Sequence, residues 1–203
     1  MLIVGSGGLA KDIIASMEED ANGYAENVVL FDNVSTEHDK LFGHYPILHT
    51  FDEVTKYFSE SPANKNFIVC IGNPIKRYRL AKKIMDLGGI YTAFISNKTC
   101  AISPFTELKS GAVVQQGSII SRDAVVSEGV FLNAGVVLGH DVILQQYVSI
   151  GPGARILGNV EVGEFSYIGC NAVITPGVKI GKKVRIGIGK VIDHDIPDNS
   201  KVM

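Results

Sequence analysis

Tryptophan is absent from the 203 residues, and cysteine occurs only three times. Cys70, Cys100 and Cys170 lie far apart, with none of the short Cys/His spacings of a zinc site or a redox pair. Each reads as a small buried hydrophobe. A basic excess is also missing: Lys plus Arg is 19 against 21 for Asp plus Glu, a net charge of −2. That leaves no electrostatic footprint for nucleic acid. No apolar run approaches the roughly 18 residues a membrane helix needs, so no membrane partner is expected. Met1-Leu2-Ile3-Val4-Gly5 shows no basic segment leading into a long apolar one. A secretory leader is therefore not expected, and the expected compartment is the cytoplasm. Hydrophobic residues at 46% and charged residues at 20% exclude a disordered chain. At about 150 residues per domain, the length allows one large domain or two small ones.

What the chain has in quantity is glycine, 22 residues, and a period. From Ile102 to Ile192 every sixth residue is Ile, Leu or Val, sixteen times without exception. Four residues after each, from Thr106 to Val184, comes a second series of small or β-branched residues. Glycine is frequent just after the aliphatic position, as at Gly139, Gly151, Gly163, Gly169, Gly181 and Gly187. Neither a helix nor a simple strand has a stride of six. A two- or three-residue strand followed by a bend does, and three such hexapeptides close a triangular coil of 18 residues. The aliphatic residue then points inward, the small residue fills the corner, and glycine tolerates the bend. Sixteen hexapeptides predict about five coils, a prism about 25 Å tall at ~4.8 Å per strand.

The first hundred residues read differently. Strands are expected at Leu2–Val4, Val28–Phe31, Pro46–Leu48, Phe67–Ile71 and Tyr91–Ile95, and helices at Ala10–Glu19, Phe51–Ser59 and Ile75–Leu87. Strands alternating with helices imply a small, Rossmann-like parallel sheet. The junction is expected at residues 96–101, giving a domain over 1–98 and a second over 99–203.

In such sheets ligands bind at the carboxyl ends of the strands. Three of these ends carry glycine or short polar residues: Gly5-Ser6-Gly7-Gly8, Asp32-Asn33 and Gly72-Asn73. A glycine turn that opens a helix can offer backbone N–H groups to a phosphate. Asp32 is in reach of a ribose or base, or it caps its own loop. Lys76, Arg77, Arg79, Lys82 and Lys83 crowd one short stretch. They read either as a solvated helix face or, for Arg77, as a group facing a diphosphate. His38, His44 and His49 read as surface residues.

Two histidines fall in or after the repeats. In Leu138-Gly139-His140-Asp141-Val142 the flanking aliphatic residues face inward, so His140 and Asp141 occupy a bend and project outward. Imidazole exchanges a proton near neutral pH, which suits a general base, and Asp141 could orient it. His194, past the last repeat, reads as structural.

These residues carry a resemblance. Ile3 to Lys11, Asn133 to Asp141 and Ile196 to Ser200 make the chain similar to the hexapeptide-repeat sugar acyltransferases. That family includes sialic acid O-acetyltransferases and bacillosamine-type nucleotide-sugar N-acetyltransferases. The resemblance implies a left-handed parallel β-helix and acetyl-CoA as co-substrate, with no metal. It implies His140 as general base with Asp141 beside it, and Asn133 touching the sugar. It implies that the Gly158 N–H binds the acetyl carbonyl and that Ser149, Ile168 and Gly187 border the acetyl-CoA site. It also implies a homotrimer with active sites between subunits. Leu9 stands where the family often has histidine, and Ser149 where bacillosamine-type members have a second one. The sequence stops at Met203, before the family's Gly-x-Pro-Ala tail.

The leading expectation is N-acetylation of a nucleotide-linked amino sugar of the 4-amino-4,6-dideoxy type. O-acetylation of a sugar such as sialic acid is the alternative within the class. Outside it stand a metal enzyme on the same prism, which needs three converging histidines, and a non-catalytic trimeric assembly module.

Overall fold

The computed structural model describes residues 1–19, 25, 27–35, 37–96 and 100–203. It divides into two compact units, Met1–Gly72 with Lys76–Thr92, and Asn73–Ile75 with Ala93–Met203. The junction expected at 96–101 falls partly on 97–99, outside the described residues.

The N-terminal elements run β1 (Leu2–Val4), α1 (Gly8–Glu19), β2 (Val29–Phe31), β3 (Lys40–Leu41), β4 (Tyr45–Leu48), α2 (Phe51–Glu60), β5 (Asn66–Val69), α3 (Pro74–Asp86) and β6 (Ile90–Tyr91). They form a six-stranded sheet in the order β3-β4-β2-β1-β5-β6. β1 lies between β2 and β5, with Ile3 opposite Leu30 and Ile68. Leu2, Ile3, Phe67, Ile68 and Val69 are wholly buried, as continuous apolar runs in parallel strands should be. The sheet is parallel except for β3, which pairs antiparallel with β4 through a turn at Phe42-Gly43. β3 was not expected, because two residues carry no alternation to read. α2 starts on a capping box in which Thr50 accepts from the Glu53 N–H and the Glu53 side chain accepts from Thr50. α3 opens on Pro74 and ends at Gly88, whose φ of 89° lets the chain turn back. Among the described residues, no helix is long and apolar enough to cross a membrane.

The strand expected over Tyr91–Ile95 is two strands. β6 ends the first sheet, and β7 (Phe94–Ile95) pairs with Val113–Val114 in a different one. From β7 onward two-residue strands wind into three parallel sheets, the faces of a left-handed β-helix. The first face holds seven strands from Phe94–Ile95 to Lys201–Val202. The second holds six from Ala101–Ile102 to Val191–Ile192, and the third five from Glu107–Leu108 to Lys179–Ile180. Seven strands span roughly 29 Å at about 4.8 Å per step. The prism exceeds the expected height because β7 and Lys201–Val202 lengthen it beyond the repeat. From Val114 to Ile192 every aliphatic repeat residue is at most 2% exposed. These side chains form one continuous core.

The bends correct one detail of the sequence reading. Every sixth residue from Gly111 to Gly189 has a positive φ near the left-handed value, and Asp123, Asp141, Asn159 and Lys183 take it as glycine does. The glycines that directly follow the aliphatic residue have no such angle. They are needed for close approach: a Cβ on Gly139 would lie 2.6 Å from the Gly158 nitrogen, and one on Gly151 2.6 Å from the Cys170 nitrogen. Backbone cannot yield as a side-chain tip can. Gly151→Ala should therefore cost about 1–3 kcal/mol, the usual range for overpacking, in urea unfolding. A stability equal to wild type would contradict this reading of the bends.

Candidate functional site

His140 sits on a bend between the second and third faces, after Val137–Leu138 and before Ile143–Leu144. Leu138 and Val142 are wholly buried, so the bend turns His140 and Asp141 outward, with side chains 63% and 54% exposed. His140 Nδ1 lies 2.8 Å from Asp141 Oδ2. A carboxylate only accepts, so Nδ1 carries the hydrogen, and in the neutral ring Nε2 has the lone pair. The ring lies over the next coil: a Cβ on Gly158 would meet His140 Nε2 at 2.6 Å and Cε1 at 2.7 Å. Gly158 is a glycine because the imidazole fills the space a side chain would take. The bends are tied to each other, since the Asn159 N–H donates to the His140 carbonyl at 2.9 Å. The Gly158 N–H takes no protein acceptor among the described residues. A hydrogen-bond acceptor and a free backbone donor thus stand side by side at the surface. His194 also pairs with an adjacent acid, Asp193 at 2.8 Å, and both are more than 70% exposed.

The first unit holds a cleft of about 550 Å³ at the carboxyl ends of β1, β2 and β5. Ser6, Gly7, Gly8, Asp32 and Asn33 line it, together with Leu9, Val34, Lys76, Arg79 and Leu80. A Cβ on Gly7 or Gly8 would meet nothing within 4 Å, so at these two positions glycine leaves room rather than relieves strain. Asp32 clamps the cleft. Its Oδ2 accepts from Ser6 N at 3.0 Å and Ser6 Oγ at 2.6 Å, and its Oδ1 accepts from the Val34 and Ser35 N–H groups. Desolvation alone would raise the carboxyl pKa, but these four hydrogen bonds together outweigh it and hold the pKa below the ordinary value.

Other expected residues fall elsewhere. Arg77 does not face the cleft. It is wholly buried and donates to the Ile71 carbonyl at 2.7 Å. The reason is helical phase, since Arg77, Ala81 and Ile84 form the inward stripe of α3 while Lys76 and Arg79 point out. Gly72 and Asn73 lie outside the cleft lining. Gly72 gives its carbonyl to Arg77 at 3.4 Å, and Asn73 is exposed. Asn133 is buried, its amide donating to the Ile150 carbonyl at 2.6 Å. Ser149 is 1% exposed and the Ile168 side chain is wholly in the prism core, so neither side chain offers a surface to a cofactor. Gly187 donates its N–H to Val202 at 2.7 Å and is covered by the last strand. Cys70 is buried, and burial pushes its thiol pKa up against the opposing charge of Arg77. Cys100 and Cys170 are only half-buried, not enclosed as expected.

His49, expected at the surface, instead has its Nδ1 2.9 Å from the Asp32 carbonyl and a side chain only 18% exposed. It braces the clamp from behind. The one sequence signal was its place at the end of β4, beside the end of β2. Lys76 and Arg79 were visible only as part of a basic run. Among the described residues no group of three His, Cys, Asp or Glu could hold a metal ion.

Residues 1–84 match the PglD N-terminal domain family. Nearly the whole chain is similar to perosamine N-acetyltransferase from Caulobacter crescentus, solved as a histidine-to-asparagine mutant with CoA and GDP-perosamine. The TM-score is 0.87 and the identity 27%, over 98% of this chain and 91% of that one. The acetyltransferase domain of PglB from Neisseria gonorrhoeae, solved with acetyl coenzyme A, matches with a TM-score of 0.86 and 27% identity, over 98% and 93%. WeeI from Acinetobacter baumannii shares the fold, with a TM-score of 0.86 at 23% identity over 98% and 94%. No curated protein sequence matches. Nearly the whole chain is thus similar in fold to these acetyltransferases. It combines an α/β domain, most of which matches the PglD N-terminal family, with a left-handed β-helix.

The clamp has a pH signature. A carboxyl whose folded pKa lies below its ordinary value of 3.8 contributes stability above that pH and loses it as pH falls through the folded value. The difference in melting temperature between wild type and Asp32→Asn should be constant above about pH 5 and shrink below about pH 4. A difference that persists unchanged into acid would mean that the charge of Asp32 does not hold the loop.

Proposed function

We propose that the chain transfers the acetyl group of acetyl-CoA to the amino group of a nucleotide-linked amino sugar of the 4-amino-4,6-dideoxy type, with His140 as general base. The observation that carries this reading is the imidazole held by Asp141 with Nε2 open above Gly158. The nucleotide is bound in the cleft of the first unit, where the Gly7-Gly8 turn offers N–H groups to phosphate and Lys76 and Arg79 supply positive charge. Leu9, Val34 and Leu80 give the base an apolar wall. Asp32 acts there mainly through the shape of the loop, because its oxygens already hold Ser6, Val34 and Ser35. The ligands bound to two similar proteins, GDP-perosamine with CoA and acetyl coenzyme A, support the substrate class.

The chemistry follows from the corner. The amine nitrogen attacks the thioester carbonyl carbon, a C–N bond forms and the carbonyl oxygen takes the negative charge. The Gly158 N–H donates to that oxygen, and one such donor contributes roughly 3 kcal/mol to the transition state. His140 Nε2 takes the proton from the attacking nitrogen. The intermediate collapses with cleavage of the C–S bond, and the CoA thiolate leaves and is protonated. No covalent enzyme nucleophile is needed. Above His140 the same corner carries Gly158-Asn159 and Pro176-Gly177, with the Asp193-His194-Asp195 bend above them, a short strip along which the pantetheine arm can lie. The working form is a cytoplasmic homotrimer that supplies surface polysaccharide synthesis. Exposed Ile119, Ile143 and Val191 on the second and third faces suit packing between prisms.

Because His140 projects from a bend, His140→Ala should leave the melting temperature near wild type while kcat falls roughly 10²–10⁴-fold. Gly158→Ala is a second, independent probe. Its Cβ would push the imidazole aside without touching the core, and a displacement of this size should cost on the order of 10²-fold in kcat. Retention of more than about a tenth of kcat by His140→Ala would remove the histidine from the mechanism.

A further inference from the structure

The bend that carries His140 differs above and below it. The bend directly above, at Gly158-Asn159, presents no long side chain, but the two bends below do. One coil down, the Asp141 N–H donates to the Arg122 carbonyl at 3.1 Å, which seats Arg122-Asp123 directly under His140-Asp141. Arg122 is held on two sides. Its guanidinium carbon lies 4.1 Å from the centre of the Phe105 ring, and its Nε lies 3.2 Å from Asp123 Oδ2. Its η nitrogens take no partner among the described residues. The side chain is 64% exposed, and Phe105 is 56% exposed. An ion pair so open contributes little to stability, and a phenyl ring left in water contributes less than a buried one. Folding therefore does not explain the stack. What it produces is a guanidinium fixed in plane with its outer edge presented to solvent, the arrangement that pairs bidentate with a phosphate.

We infer that Arg122 binds the phosphate attached to the sugar of the acceptor, on the side of His140 away from Gly158. This rests on the reading of His140 as the base and of a nucleotide-linked amino sugar as the substrate. The imidazole leans toward Gly158, where the thioester carbonyl is bound. The amine must meet Nε2 there, so the rest of the acceptor extends the other way. In a 4-amino sugar linked through C1, amine and phosphate lie at opposite ends of the ring. Nε2 and the Arg122 guanidinium are likewise separated by a coil step, roughly 4.8 Å, plus the reach of the two side chains. A 2-amino sugar, with its nitrogen next to C1, spans a shorter distance and should pair with both groups less well. Arg122 is thus a substrate-binding residue that selects where on the ring the amine may be.

The test compares wild type, Arg122→Lys and Arg122→Met in kinetics with acetyl-CoA and UDP-, GDP- and dTDP-linked 4-amino sugars. Loss of a charge-assisted pair should raise the acceptor KM roughly ten- to a hundredfold in Arg122→Met and less in Arg122→Lys. kcat and the KM for acetyl-CoA should stay within about twofold of wild type. Calorimetric affinity for the same sugars without acetyl-CoA should fall by the same factor, a readout that needs no turnover. Unchanged acceptor affinity, or a rise in the acetyl-CoA KM instead, would overturn the inference. His140→Ala separates the two readings. If it stays active, the base assignment fails while the Arg122 result stands on binding alone. If wild type binds none of the sugars, both fail together.

Discussion

Two peptide planes one coil apart control the rest of this site. Gly139 packs its Cα against the Leu157–Gly158 peptide so closely that a single methyl group would collide. That contact sets the height at which the next residue, His140, leaves the backbone, and it brings the imidazole over Gly158. Asp141 then takes the left-handed bend with φ 58° and returns its carboxylate to Nδ1. The proposed base and its orienting acid come from one five-residue bend, and the proposed backbone donor from a glycine 18 positions after His140. A stack of short strands holds them without any long loop, which is how a site on a partly exposed edge can keep its geometry.

Most of this was legible because the repeat is a ruler. Once the stride of six and the coil of 18 are seen, Leu138 and Val142 fix which way the His140 bend points, whereas Gly158 entered through the family resemblance. What could not be read was the division of labour among glycines. The sequence shows Gly139 and Gly177 as the same letter, yet one serves close packing and the other a positive φ. Position within the hexapeptide separates them only when the three-dimensional step is known. The ends of the prism were also hidden, because Phe94–Ile95 and Lys201–Val202 join the first face without the repeat's regular spacing.

The first unit was harder, and the failures have a common cause. Its strand ends were found, and five of the expected residues line one cleft. Arg77 was placed by its nearness to Gly72-Asn73 in sequence, whereas the 3.6-residue period of α3 turns it inward with Ala81 and Ile84. His49 was dismissed for want of a partner in sequence, and its partner is a backbone carbonyl 17 residues away. Asp32 was read as facing a ligand or capping a loop, and the capping role dominates its contacts. Chain proximity misleads wherever neither a repeat nor a helical stripe supplies the geometry.

The central claim is that this corner acetylates an amine. The direct measurement is mass spectrometry, with fragmentation, of the product formed from acetyl-CoA and a panel of nucleotide-linked 4-amino sugars. The account predicts one acetyl group, added on the sugar nitrogen as an amide that resists mild base, in at least one member of the panel. An acetyl ester on a hydroxyl, or acetyl-CoA left intact with every sugar, would contradict it.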